Sequence, residues 1–160
     1  MNKILLVLSM AGSLVSAKIA PSFSADLLGG GKFSLQEGLK KKKPILISFW
    51  ATWCAPCLEE LKHVQEMINT EKDLGLNVVT INVDTNETST DLKPTIKLYK
   101  FTFPVVMDPS HEVFQKYKSE KSLPFSVLVA PSGEIEASFQ GYDEKMVSKI
   151  KAVVQKSSSR

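Results

Sequence analysis

Residues Ile45-Leu46-Ile47-Ser48-Phe49-Trp50-Ala51-Thr52-Trp53-Cys54-Ala55-Pro56-Cys57 run from an apolar segment through a short turn into a C-x-x-C pair. The apolar run Ile45–Trp50 reads as a buried strand, and the amphipathic stretch from Leu58 onward reads as a helix. The pair therefore sits at a helix start, where unpaired backbone N–H groups and the helix dipole favour a thiolate on Cys54. Cys57 lies one turn on, close enough to close a disulfide with Cys54. These are the only 2 cysteines of the 160-residue chain. A C-x-x-C loop of about 4 residues stabilises by roughly 1.9 kcal/mol in the chain-entropy model, against about 4.7 for a loop of 100 residues. The spacing thus argues for reactivity over stapling.

Downstream, Cys57, Leu61, Val64 and Ile68 recur at helical spacing. That stripe puts Cys57 on the buried face and predicts Cys54 at an exposed mouth. Thiol–disulfide exchange needs this asymmetry: an accessible thiolate attacks and a sheltered thiol resolves the mixed disulfide. Cys54 is the expected nucleophile and Cys57 the resolving residue. Pro56 offers no N–H and Ala55 no charge, so the Cys54 thiolate is weakly stabilised and the pair tends to donate electrons. Glu60, beside the buried stripe, is a candidate proton acceptor for Cys57; the alternative is a solvated helix acid like Glu59 or Glu66. Trp53 is expected to shape a partner groove, whereas Trp50 reads equally as core. His63 and His111 have no metal-ligand companions at suitable spacing, and no metal site is expected.

The first residues read as a targeting signal, 1–17. Lys3 gives a positive start, Ile4 to Val15 a short apolar run, and Val15-Ser16-Ala17 a small-residue cleavage pattern. Twelve residues fall short of the roughly 20 a spanning helix needs, although a retained membrane anchor stays open. Export places the cysteines where disulfides persist. From Lys18 the chain is long enough for one domain, taken as 18–156, with a polar tail at 157–160. A formal net charge of +3 is too small to point to nucleic acid. Lys40-Lys41-Lys42-Lys43 reads as a solvated connection, or as a docking site for an acidic partner. Gly29-Gly30-Gly31 reads as a turn; no phosphate-loop pattern follows it.

Strands are further expected over Asn77–Val83, Pro104–Met107, Phe125–Ala130 and Glu134–Gln140, the last two flanking the hairpin signal Pro131-Ser132-Gly133. Helices are expected over about Ala55–Thr70, from about Asp91 to Phe101, from Ser110 as cap to about Lys118, and from Asp143 as cap to the end. The last carries the apolar stripe Met146, Val147, Ile150, Val153 and Val154. A β-α-β start and a hairpin-plus-helix finish indicate an α/β sandwich around a central mixed β-sheet flanked by helices.

The run Ser48 to Glu60 resembles the TlpA/ResA-like branch of the thioredoxin superfamily, which comprises exported or membrane-tethered thiol–disulfide oxidoreductases. The likeness continues through Phe103-Pro104-Val105-Val106-Met107-Asp108, Leu123-Pro124, Pro131-Ser132-Gly133-Glu134-Ile135 and Gly141. It implies a thioredoxin-like fold with a β-α insertion over about Glu87 to Met107. It implies a cis Pro124 facing the cysteines, with the backbone of Leu123 available to pair with a substrate strand. Glu60 matches the acidic position that this branch carries after its motif. Thioredoxin's buried Asp is replaced by Ser48 here, which leaves Glu60 as the candidate acid. A helix-kinking proline is replaced by Lys62, predicting a straighter helix, and Phe125 is bulkier than the small residue usual after the cis-proline.

The resulting expectation is a periplasmic or otherwise exported reductase of protein disulfides, of the kind that prepares apocytochrome c or maintains other exported thiols. No nicotinamide or flavin motif is visible, so electrons would come from a membrane donor and no cofactor is expected. The alternatives are a disulfide-introducing oxidase and a non-enzymatic copper-binding module using Cys54 and Cys57 as soft ligands. A peroxidase reading is disfavoured because a separate peroxidatic-cysteine motif is missing.

Overall fold

The computed structural model describes residues 18–117 and 122–158. The expected signal segment, Lys118 at the end of one expected helix, and residues 159–160 of the tail lie outside them. The chain first forms a small hairpin, β1 (Ser24–Asp26) and β2 (Lys32–Ser34), turning through Gly29-Gly30-Gly31. A short helix α1 (Leu35–Leu39) follows. None of these three elements stands out in the sequence, because three-residue strands are too short to show a period.

Five further strands build the sheet: β3 (Ile45–Trp50), β4 (Asn77–Asn82), β5 (Val105–Met107), β6 (Phe125–Val129) and β7 (Ile135–Gln140). Their order is β5-β4-β3-β6-β7, with β3 parallel to β4, β4 parallel to β5, and β6 antiparallel to both β3 and β7. The expected mixed sheet is therefore present. Central β3 is buried along its whole length, which explains its unbroken apolar run. Its residues still alternate between sides: Ile45, Ile47 and Phe49 join one core cluster, and Leu46 joins the other. Edge strand β7 alternates half-buried and exposed residues, as a strand with one wet face must.

The remaining helices are α2 (Ala55–Thr70), α3 (Leu92–Tyr99), α4 (Glu112–Tyr117) and α5 (Met146–Ser158). α2 runs unbroken through Lys62, as expected where the kinking proline is replaced. It packs with α5 against one face, where Val64 and Met67 meet Met146, Ile150 and Val154. The insertion takes the form of a 3₁₀ turn (Ser89–Asp91), α3, and then β5 at the sheet edge. Pro94 falls in the first turn of α3, where its missing N–H costs nothing. That helix ends at Tyr99, two residues short of the expected Phe101, because Lys100 adopts a left-handed conformation (φ 56°) and closes it. α5 begins as expected: the Asp143 carboxylate accepts the Lys145 N–H at 2.9 Å. It reaches Ser158, into the expected tail. In the β6–β7 hairpin Gly133 takes φ 89°, which a side chain there would oppose.

One cap differs from the expectation. Ser110 is exposed, and it is the Asp108 carboxylate that accepts the N–H groups of Val113 (3.2 Å) and Phe114 (2.9 Å) at the start of α4. His111 turns left-handed (φ 60°), so the chain doubles back and the earlier acid reaches the helix start. Asp108 is itself buried. Asp108→Ala is expected to lower stability by about 1–2 kcal/mol in equilibrium denaturation, and Ser110→Ala by less than about 0.5 kcal/mol. The reverse order would restore Ser110 as the cap.

Candidate active site

The turn between β3 and α2 carries the cysteines. Trp50 ends β3 with its side chain fully buried, so of the two tryptophans it belongs to the core. Trp53 is 65% exposed. Between them the chain is tied down from β4: buried Asp84 accepts the Thr52 N–H (2.9 Å), the Thr52 hydroxyl (2.9 Å) and the Asn82 amide (2.7 Å). In the sequence Asp84 opens a polar stretch that reads as a loop. Its burial is legible only once Thr52 and Asn82 are seen to face it.

Cys54 occupies the N-cap of α2, with Ala55 and Pro56 in the first turn. The N–H groups of Cys57 and Leu58 both donate to the Cys54 carbonyl, at 3.0 and 3.2 Å. Cys54 and Cys57 are joined as a disulfide, with their Cα atoms 5.2 Å apart. Cys57 is 1% exposed, as its place in the apolar stripe predicts. Cys54 is less open than expected, at 6% exposure. Its bond to the deeply placed Cys57 draws the first sulfur inward, and helical spacing alone cannot register that.

Glu60 is 1% exposed, on the inner face of α2 and not among the solvated acids. Its Oε1 accepts the hydroxyls of Ser48 (2.9 Å) and Ser126 (2.6 Å). Its Oε2 is buried with no hydrogen-bond partner among the described residues. Burial pushes the Glu60 carboxyl above the usual carboxylate range, and the Ser126 and Ser48 hydroxyls oppose that rise in part. Cys57 stands at i−3 on the same helix face, where Cβ atoms lie about 5–6 Å apart. The arrangement therefore places a buried carboxyl group one turn from the sheltered sulfur.

The Leu123–Pro124 bond is cis. Half-buried Leu123 joins Trp53, Val83, His111, Phe114 and Gln115 around a cavity of about 170 Å³. On another side Trp53 borders a cavity of about 520 Å³ with Thr52 and α3 residues including Leu98, which is also exposed. The structure thus unites Trp53 and Leu123 at one mouth, Pro124 next in the chain, and sets Glu60 apart in the interior. Of the histidines only His111 borders that mouth, with its Nε2 2.8 Å from the Val83 carbonyl; the His63 ring stands apart, stacked on Tyr142 at 5.5 Å. Lys40 to Lys43 are all exposed in the connection before β3. No group of three or more His, Cys, Asp or Glu side chains gathers for a metal ion among the described residues.

Residues 17–154 match the AhpC/TSA family. The thiol–disulfide oxidoreductase ResA of Bacillus thuringiensis subsp. konkukian is 31% identical over 128 residues, covering 80% of this chain and 71% of that protein. The chain belongs to the AhpC/TSA family, among its ResA-type thiol–disulfide oxidoreductases. StoA from Bacillus subtilis superposes with a TM-score of 0.68 at 26% identity, covering 84% of this chain and 97% of that one. A putative thiol:disulfide interchange protein DsbE from Chlorobium tepidum superposes with a TM-score of 0.76, covering 88% and 96%. At 22% identity that likeness speaks for the thioredoxin-like fold alone. Membership accords with the disulfide at the start of α2.

Proposed function

We propose that this oxidoreductase reduces protein disulfides outside the cytoplasm, with residues 1–17 as its export signal and 18–156 as its working domain. The observation that carries this reading is the Cys54–Cys57 pair at the start of α2 with the buried Glu60 carboxylate one turn behind it. In the reduced protein the Cys54 thiolate attacks one sulfur of the substrate disulfide, and the other substrate sulfur leaves as a thiolate. Glu60 then takes the proton of the Cys57 thiol. The Cys57 thiolate attacks Cys54, and the second substrate sulfur departs. Two electrons pass to the substrate, and Cys54–Cys57 ends as the disulfide seen here. A membrane-bound dithiol donor restores the pair. Trp53 and Leu123, with the cis Pro124 next in the chain, mark the side on which an extended substrate segment would add to the backbone at Leu123. Apocytochrome c, which presents a C-x-x-C disulfide of its own, is the client we favour.

The first turn of α2 supports the reducing direction. Pro56 brings no N–H toward Cys54, the Cys57 and Leu58 N–H groups are spent on the Cys54 carbonyl, and no cationic residue occupies the turn. A thiolate so weakly supported leaves the disulfide comparatively stable. Equilibration with a glutathione or dithiothreitol series, read by tryptophan fluorescence, should give a reduction potential near or below about −220 mV. A value near about −120 mV would identify a disulfide-introducing oxidase instead. The two differ by roughly 4.7 kcal/mol, so the outcomes are well separated.

A further inference from the structure

We propose that Ser48 and Ser126 are positioning residues that together grip one oxygen of Glu60 and leave the other free to take the proton of Cys57. This rests on the reading of Glu60 as proton acceptor and assigns that function to a single oxygen.

Ser48 and Ser126 are lone polar residues in two otherwise apolar strands, β3 and β6, and both are buried. They stand directly opposite one another in the antiparallel pairing of those strands, on the face toward α2. A serine hydroxyl has one proton to donate. Both protons go to Glu60 Oε1, although a carboxylate has two oxygens to satisfy. An arrangement serving only to hold the buried side chain would divide the two donors between the two oxygens. Instead Oε2 has no partner among the described residues, at the cost that burying an unsatisfied acceptor carries. Helical side chains lean toward the N-terminus, and from Glu60 that direction leads to Cys57.

The charged groups on the surrounding elements are engaged elsewhere. On α2, Glu59 pairs with Lys62, and His63 lies near Glu66. At the start of α5 Asp143 pairs with Lys149, and Lys151 further along pairs with Glu71. After β4, Asp84 holds Thr52 and Asn82, and the β4 residue beside Ser48 is the neutral Thr80. Burial and the Ser126 and Ser48 hydroxyls are what shift the Glu60 carboxyl, and no charged side chain among the described residues adds to them. In the resolving step the Cys57 S–H bond breaks, its proton goes to Oε2, and the sulfur's electron pair forms the bond to Cys54. The Cys54–substrate bond breaks, and its electrons leave on the substrate thiolate.

The test uses the reduced protein and dithionitrobenzoate. Attack by Cys54 releases a first thionitrobenzoate, and attack by Cys57 on the mixed disulfide releases the second. The pH profile of the second phase reports the resolving step, and the first phase serves as an internal control. Losing two hydrogen bonds that favour the carboxylate, the Ser48→Ala/Ser126→Ala variant should have its midpoint moved to higher pH. Its second phase at neutral pH should be slower by about tenfold, with the first phase unchanged. Ser126→Thr, which keeps a hydroxyl, should retain the wild-type midpoint. A double variant with the wild-type midpoint, beside a Glu60→Gln variant that loses the profile, overturns the gripping function and spares the reading of Glu60. A Glu60→Gln variant with the wild-type profile overturns both. If the double variant does not fold, the Glu60 carboxyl is titrated by carbon-13 resonance in oxidised Ser48→Ala and Ser126→Ala. Midpoints raised in both single variants support the inference, and unmoved midpoints overturn it.

Discussion

Cys57→Ser is expected to accumulate a covalent mixed disulfide with substrate, while Cys54→Ser forms none and loses turnover by about 10³-fold or more. The difference follows from the proposed division of labour. Cys54 caps α2 beside the exposed Trp53, at the side where a substrate arrives. Cys57 is deeper, at 1% exposure, and meets only what Cys54 has already captured. Without Cys57 the captured substrate cannot be displaced from within. Without Cys54 the buried thiol has no path to a protein disulfide. Non-reducing electrophoresis of each purified variant, mixed with a disulfide-bonded C-x-x-C peptide, separates the cases. An adduct on Cys54→Ser and none on Cys57→Ser would reverse the roles.

The fold was legible because its signals are long. Ile45–Trp50, the sixteen residues of α2 and the α5 stripe each carry enough periodicity to be read without help. The Gly133 hairpin announces itself in three residues. What escaped reading depends on approaches across the fold. Asp108 caps α4 only because His111 turns left-handed, and Asp84 is buried only because Thr52 comes back to meet it. The site shows the same division. Spacing along one helix is enough to rank Cys54, Cys57 and Glu60 as candidates. Ser126 lies 66 residues from Glu60 in sequence and reaches it through the pairing of β6 with β3. A signal was nonetheless present, since a lone serine within an otherwise apolar buried strand needs a partner. Ser48 and Ser126 each fit that description.

Glu60→Gln is expected to gain stability relative to the wild type as pH rises, measured by urea denaturation of the oxidised protein from about pH 4 to about pH 8. Burial, partly offset by the Ser126 and Ser48 hydroxyls, raises the Glu60 carboxyl above its value in the unfolded chain. The native state therefore binds that proton more tightly than the unfolded state does. Stability from this group is full below the unfolded value and is lost as pH rises through the folded one. Glutamine has no such titration, so the gap between variant and wild type must widen toward alkaline pH, whatever its size at pH 4. A constant gap across the range would mean that Glu60 titrates alike folded and unfolded, and its interior position would then have no bearing on its acidity. A widening gap shows what the wild type gives up: ionising this carboxyl costs more in the core than in the unfolded chain, a cost that glutamine does not carry. Stability does not account for a buried acid with one oxygen doubly bonded and the other bare. The proposed transfer of a proton from Cys57 during resolution would, because it neutralises the buried charge at the step where the thiol must become a thiolate.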